Sequence, residues 1–281
     1  MTVAIVTDSG SDLTPTQLRE GNIRQVQLTI SFGDRSYLSP DELAPEDFWL
    51  QLSAPGSPFP HTAAPSTGQF KRAFEEALAE GADGIVCVCL GEKISSTLSS
   101  AQMAREMLPG KQIEVIDSRS ACMAIGLLAM RGATLAAQGV SAGQIAEQLK
   151  RVRDNTVLFV ALETLDYLRK GGRIGHARAA IGGLLSVKPI ITVEDGVVLM
   201  ADQPRTRAKA RERLLDLLTD RPATELCVLF SPPADGPALR DEILARLPGP
   251  PPRVVTTQII GPVIGAHIGP GAYGGILVHE E

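Results

Sequence analysis

Two segments of this chain set charged or titratable side chains among glycines. One is Lys170-Gly171-Gly172-Arg173-Ile174; the other runs Gly261-Pro262-Val263-Ile264-Gly265-Ala266-His267-Ile268-Gly269-Pro270-Gly271. An arginine behind paired glycines sits in a tight turn and offers a forked, permanently charged donor to a carboxylate or phosphate. The same turn equally fits a solvated surface. A histidine among glycines and prolines sits where backbone can fold tightly around a small group, because glycine permits close approaches and proline fixes its own φ. A lone histidine in such a tract is more often structural than catalytic. Four hydroxyl-rich segments accompany these two: Thr7-Asp8-Ser9-Gly10-Ser11, His61-Thr62-Ala63-Ala64-Pro65-Ser66, Ile94-Ser95-Ser96-Thr97 and Asp117-Ser118-Arg119-Ser120. Hydroxyls at the carboxyl ends of parallel strands can donate to an anionic ligand, and helix N-termini add backbone donors. They can also simply cap the helices that follow.

Several chemistries are excluded by pattern. No serine lies in a G-x-S-x-G elbow, so an α/β-hydrolase nucleophile is missing. Asp8-Ser9-Gly10 lacks the second aspartate, two residues on, of an aspartyl phosphatase loop. There is no Walker lysine motif, and the glycine tract comes too late to be a dinucleotide fingerprint after the first strand. The histidines (His61, His176, His267, His279) are too scattered for a metal site, and the cysteines (Cys87, Cys89, Cys122, Cys227) form no CxxC pair. Cys87 and Cys89 alternate on one face of a predicted strand and read as core.

The elements that must position these residues follow from apolar periodicity. Val3 to Val6 reads as a buried strand feeding the first polar loop, Thr14-Pro15 opens a helix, and Val26 to Phe32 reads as a second strand. Asp41 to Leu52 is a predicted helix, followed by a proline-rich connection through Pro65. Ser66 to Glu80, Ser99 to Leu108 and Cys122 to Gln138 read as helices, with strands at Gly84 to Leu90 and Gln112 to Ile116. This strand–loop–helix order predicts a mostly parallel α/β sheet. The pattern changes near Arg153. Strands are predicted at Val157 to Ala161, Lys188 to Val193, Val197 to Ala201, Leu226 to Phe230, Arg253 to Ile259 and Gly275 to His279. Glu194-Asp195-Gly196 is a hairpin turn signal. Helices are predicted to start at Thr164 and to span Arg205 to Leu218 and Ala238 to Leu247. The chain therefore divides into an α/β domain over 1–153 and an α+β domain with a mixed sheet over 154–281. The basic run from Arg205 to Arg213 splits on a helix, with Arg205, Lys209 and Arg213 on one face and Arg207 and Arg211 on the other. A solvated helix face is the default reading, and docking of an acidic or nucleotide-bearing partner is the sharper one.

Composition narrows the function class. With 281 residues, 44% hydrophobic and 21% charged, the chain suits two ordinary soluble domains. A net charge of −5 and 4% aromatics argue against nucleic acid as partner. No apolar run is long enough to span a bilayer, and the first residues lack the features of a secretion signal, so a cytoplasmic location is expected.

Taken together and in order, these segments resemble the DegV family, fatty-acid-binding proteins that serve as the lipid-carrying subunit of bacterial fatty acid kinase. The resemblance rests on Val6-Thr7-Asp8-Ser9, Thr62-Ala63-Ala64-Pro65-Ser66, Ile94-Ser95-Ser96, Leu165 through Ile174, Lys188-Pro189-Ile190 and Gly265-Ala266-His267-Ile268-Gly269-Pro270-Gly271. The Lys-Gly-Gly-Arg-Ile and Gly-Ala-His segments are the specific ones. One departure is Ser100-Ala101-Gln102-Met103, where the family usually has Gly-Thr-Tyr-Gln; the change would alter the loop over the ligand head or the helix behind it. The resemblance implies a long-chain fatty acid in a tunnel between the two domains. It implies a carboxylate held by Thr62, Ser95 or Ser96, and His267, with Arg173 near the mouth. It also implies that a separate fatty acid kinase catalytic subunit phosphorylates the carboxylate to an acyl phosphate, with Arg205 facing that subunit. No cofactor, metal or catalytic nucleophile of the protein's own is called for. Two other readings stay open: an enzyme in which Ser96 and His267 act on an acyl or phosphoryl substrate, and a sensor of a small apolar ligand.

Overall fold

The Val-, Ile- and Leu-rich segments pair into three sheets in the computed structural model, which describes residues 2–175, 177 and 187–279. His176 lies outside the described residues. The first sheet has the order β2-β1-β6-β7 and is parallel throughout, from β1 (Val3–Asp8), β2 (Ile23–Val26), β6 (Gly84–Cys89) and β7 (Gln112–Asp117). A small antiparallel sheet, β4-β3-β5, joins β3 (Thr29–Phe32), β4 (Arg35–Leu38) and β5 (Pro60–Ala63). The third sheet, β10-β9-β8-β13-β11-β12, is mixed: only β11 (Glu225–Phe230) and β12 (Val254–Ile259) run parallel. Its other strands are β8 (Thr156–Ala161), β9 (Ile190–Glu194), β10 (Val197–Asp202) and β13 (Tyr273–Val278). The parallel first half and mixed second half match the fold expected from the sequence.

Helices α1 (Pro15–Glu20), α2 (Pro45–Ser53), α3 (Thr67–Ala79), α4 (Thr97–Glu106), α5 (Met123–Ala137) and α6 (Ala142–Asp154) accompany the first two sheets. The short α7 (Asp166–Lys170), then α8 (Arg207–Leu218), α9 (Gly236–Arg246) and α10 (Pro262–Ile268) accompany the third. Strand alternation splits the core by face. Ile5, Val86 and Val88 point into one cluster that also holds Cys227, Leu229, Ile276 and Val278 of the third sheet, so the two large sheets share a central core. The intervening residues face outward: Val6, Ile85 and Cys87 pack on Phe70 and Phe74 of α3, while Leu226, Val228 and Leu277 pack on Leu214 and Leu218 of α8.

The structure departs from the sequence reading in several places, and β4 is a strand where none was predicted. The predicted strand from Val26 to Phe32 is two strands in different sheets. The Ser9 hydroxyl accepts the Leu28 N–H (2.9 Å), removing it from any ladder between them. The proline-rich connection contains β5, an edge strand whose first residue is Pro60, a position where no ladder donor is needed. Helix α6 occupies a stretch given no element, although Ser141 and Gln144 form a capping box there. The glycine tract is not a loop: Pro262 begins α10, and only after Ile268 does the chain turn out at Gly269. The hairpin is as expected, with Asp195 (φ 48°) and Gly196 (φ 76°) making the turn between β9 and β10.

Helix α10 is lashed to the first half of the chain. Trp49 on α2 donates from Nε1 to the Ile260 carbonyl (2.8 Å), and Gln258 donates to the Asp12 carbonyl (2.9 Å). Asp8, at the end of β1, accepts the N–H groups of Gly10 and Leu90 at 2.8 Å each, yet burial still raises its pKa to about 7. Both Asp12 carboxyl oxygens are buried against Gly261, and neither has an aligned hydrogen bond among the described residues. Burial pushes Asp12 up to about 8; the nearby Gly261 amide tempers the rise and the Asp8 charge adds to it. In the unfolded chain this carboxyl titrates near 3.8, so the fold holds its proton more tightly. That contribution to stability is complete below pH 3.8 and is lost as pH rises toward about 8. Asp12→Asn, uncharged throughout, is expected to melt on the order of 5 °C higher than the parent at pH 8. Thermal denaturation across pH should show the gap closing near pH 4; a gap independent of pH would refute the assignment.

Candidate functional site

Five of the six residues singled out by the sequence converge on one cavity of about 310 Å³. Thr62, Ser95, Ser96, Arg173 and His267 line it, together with an apolar wall that includes Leu90, Val160, Ile191, Val198, Ile264 and Ile268. Arg205 is not among the lining residues; it is exposed, one residue before Thr206, which caps α8. Two bonds link the segments that carry the polar members. Thr62 Oγ1 is 2.9 Å from His267 Nε2. Arg173 donates from Nε to the Ile94 carbonyl (3.1 Å) and from Nη1 to the Gly171 carbonyl (2.9 Å). Gly171 packs directly on His267: a Cβ there would lie 2.3 Å from Nδ1. The first glycine of the Lys-Gly-Gly-Arg segment thus makes room for the imidazole.

Each polar residue is delivered by a different element. Thr62 lies on β5, paired with Ile30 of β3. Ser96 occupies the N-cap position of α4 without using its hydroxyl as a cap, whereas Ser95 Oγ is 2.7 Å from Thr97 Oγ1 and accepts the Thr97 N–H (3.3 Å). The capping alternative therefore holds for Ser66, which forms a capping box on α3, and in part for Ser95. Ser100-Ala101-Gln102-Met103 runs inside the uninterrupted ten-residue α4, with Ala101 fully buried, so the altered segment does not break the helix behind these serines.

The electrostatics of the pair are set by desolvation. Burial, then the positive charge of Arg173 and the neighbouring His61, lower the His267 pKa to about 4, so the ring is neutral at pH 7. Nδ1 is buried without a hydrogen-bond partner and faces Gly171. An orphaned N–H is rarer in buried sites than an orphaned acceptor, which favours the tautomer with its proton on Nε2. In that tautomer His267 donates to Thr62, and the Thr62 hydroxyl is left to donate into the cavity. The apolar wall gave no sequence signal, because its residues are indistinguishable by type from the core. A larger groove of about 700 Å³, lined by Arg131, Arg151, Glu225 and His279 among others, contains none of the five site residues.

The cavity of this three-sheet α/β protein thus combines an apolar wall with hydroxyl, imidazole and guanidinium groups. The chain belongs to the DegV family, described as "uncharacterised protein, DegV family", which it matches over residues 2–280. It is 31% identical over 280 residues to a DegV domain-containing protein of Listeria monocytogenes, covering 97% of this chain and 96% of that one. Among solved structures, a fatty-acid-binding DegV family protein from Thermus thermophilus superposes with a TM-score of 0.91 at 33% identity, covering 100% of both chains. DegV of Bacillus subtilis, a fatty acid binding protein, gives 0.86 at 30% identity, covering 99% of this chain and 98% of that one. A stearic-acid-binding protein from Eubacterium ventriosum gives 0.85 at 26% identity, covering 98% of each. No helix among the described residues is long and apolar enough to cross a membrane.

Gly171→Ala tests the packing of the pair. The added methyl must displace His267 from its pocket, breaking the bond to Thr62. Imidazole NMR should show the parent His267 remaining neutral until about pH 4, and the variant's midpoint moving toward the free value of 6.5. An unchanged midpoint would show that the ring's burial does not depend on Gly171.

Proposed function

We propose that this protein binds a long-chain fatty acid, its acyl chain in a tunnel between the units 1–153 and 154–281, and presents the carboxylate to a separate kinase subunit. The observation that carries this reading is the lining of the cavity: an apolar wall together with Thr62, Ser95, Ser96, Arg173 and His267, with Thr62 bonded to His267 and Arg173 to the carbonyl just before Ser95. Hiding an acyl chain contributes roughly 0.8 kcal/mol per methylene, so the wall supplies most of the affinity and the polar end fixes direction. A carboxylate leaving water needs donors. The Thr62 hydroxyl, polarised by neutral His267, and the Ser95 or Ser96 hydroxyl supply them, and Arg173 near the mouth supplies positive charge.

The ligand itself is the nucleophile in this scheme. A carboxylate oxygen attacks the γ-phosphorus of a nucleotide held by the kinase subunit, and the nucleoside diphosphate leaves as the acyl phosphate forms. Arg173 is suited to the charge that builds on the transferring group. Arg205, exposed ahead of α8, is available to the kinase subunit. The Ser96–His267 enzyme reading finds less support, because Nε2 of His267 is engaged by Thr62 and Nδ1 is buried.

Mass spectrometry of an organic extract of the purified protein is expected to find a fatty acid at about one per chain, held in the cavity lined by Thr62 and His267. Absence of any fatty acid, with no binding of added oleate, would overturn the proposal. Thr62→Val should weaken oleate binding about tenfold by leaving the head group one donor short. With a kinase subunit and ATP, Arg205→Glu should lower acyl phosphate formation more than about tenfold while leaving oleate affinity unchanged. Equal rates for parent and variant would remove Arg205 from the docking surface.

A further inference from the structure

The Thr62–His267 bond joins β5 to α10, which pack on each other without backbone pairing. A ring stack lies beside the bond. Phe59, one residue before β5, lies 5.7 Å from Tyr167 of α7, centroid to centroid, with the planes 32° apart. Its edge also meets His61, at 5.7 Å and 75°. The ammonium of Lys170 sits over the Phe59 ring, 5.4 Å from its centroid. Tyr167 in turn lies flat against Gly269, the residue that ends α10. There φ is +74° and a Cβ would come within 2.3 Å of the Tyr167 ring, so both the turn and the close approach require glycine. The Tyr167 carbonyl also accepts the Gly171 N–H (2.8 Å), fixing the glycine that backs the His267 ring.

Tyr167 therefore touches the α10 side of the pair twice, through Gly269 two residues beyond His267 and through Gly171 beneath it. Phe59 carries the β5 side, three residues before Thr62. We infer that Phe59, Tyr167 and Lys170 act as a positioning stack that holds Thr62 and His267 together across the mouth of the cavity, a role that rests on the fatty-acid reading only for its ligand. Tyr167 and Lys170 lie in the segment that bears Arg173, so the stack also couples the strand bearing Thr62 to the turn bearing the guanidinium. Aromatic pairing and a cation over a ring face are each modest interactions at a half-exposed site. Their leverage comes from where they act, since a shift of about 1 Å at a positioned pair is enough to lose it.

The test compares Phe59→Leu, which keeps apolar bulk without a ring, with Phe59→Tyr, which keeps the ring, using three readouts on the full chain. Oleate affinity for Phe59→Leu should fall about fivefold. In the ligand-free variant, the His267 midpoint should rise from about 4 toward 6.5 as water reaches the loosened ring, with Arg173 and His61 still beside it. Phe59→Tyr should restore both. Weaker binding and a lower melting temperature without movement of the His267 midpoint would reduce Phe59 to a structural residue and overturn the inference. Unchanged affinity and unchanged midpoint would overturn it as well. A parent protein that fails to bind oleate, while the midpoint still moves in Phe59→Leu, would sink the fatty-acid reading and support the stack. Should Phe59→Leu fail to fold, Lys170→Met, which removes only the cation, carries the same two measurements, with a shift in the same direction expected and no shift counting against it.

Discussion

Burying an imidazole beside an apolar cavity costs free energy unless the ring is neutral and at least one nitrogen is bonded. The protein meets that requirement with a single hydrogen bond, from His267 to Thr62, and much of the surrounding structure serves it. Gly171 clears space for the ring, burial and then the charge of Arg173 keep it from taking a proton, and Trp49 and Gln258 tie the start of α10 to the first half of the chain. The outcome is a hydroxyl whose own proton is free to point into the cavity. A positively charged histidine at this place would hold an anion more strongly but would be harder to keep buried when the cavity is empty.

The cavity exists because the two large sheets face each other across one shared core. Alternate residues of β1, β6, β11 and β13 point inward and the rest support outer helices, so each sheet is covered on both faces. Strand β10 is an edge of the third sheet, and the tip of its hairpin is pinned to the first half of the chain. Gly196 donates to the Arg119 carbonyl (2.9 Å), and Arg119 pairs with Asp195. Val193 and Val198, flanking that tip, belong to the cavity wall.

The basic helix α8 is less basic in space than in sequence. Arg207 pairs with Glu163, Arg211 with Glu242, and Arg213 with Asp202. Glu163 also takes Lys188, so two cations share one carboxylate at the foot of the helix. Exposed pairs of this kind contribute little stability, but they leave a surface of mixed sign. Arg205 is in none of these pairs and lies exposed just ahead of the helix.

Local sequence determined the strands, the hairpin at Asp195-Gly196 and most helices, because alternation, capping and turn residues act over a few positions. It also picked out Thr62, Ser95, Ser96, Arg173 and His267, though only as members of a familiar pattern. Tertiary structure decided which of those residues meet. The glycine tract reads locally as a shaped loop, yet packing makes it the helix α10; Val26 to Phe32 reads as one strand, yet a hydroxyl on a distant loop divides it. Thr62 and His267 are 205 positions apart, and neither the bond between them nor the tautomer it favours is encoded near either residue. Periodicity fixes which face a side chain takes along its own element. Which face meets which, and how far water is excluded between them, is settled only when distant segments pack together.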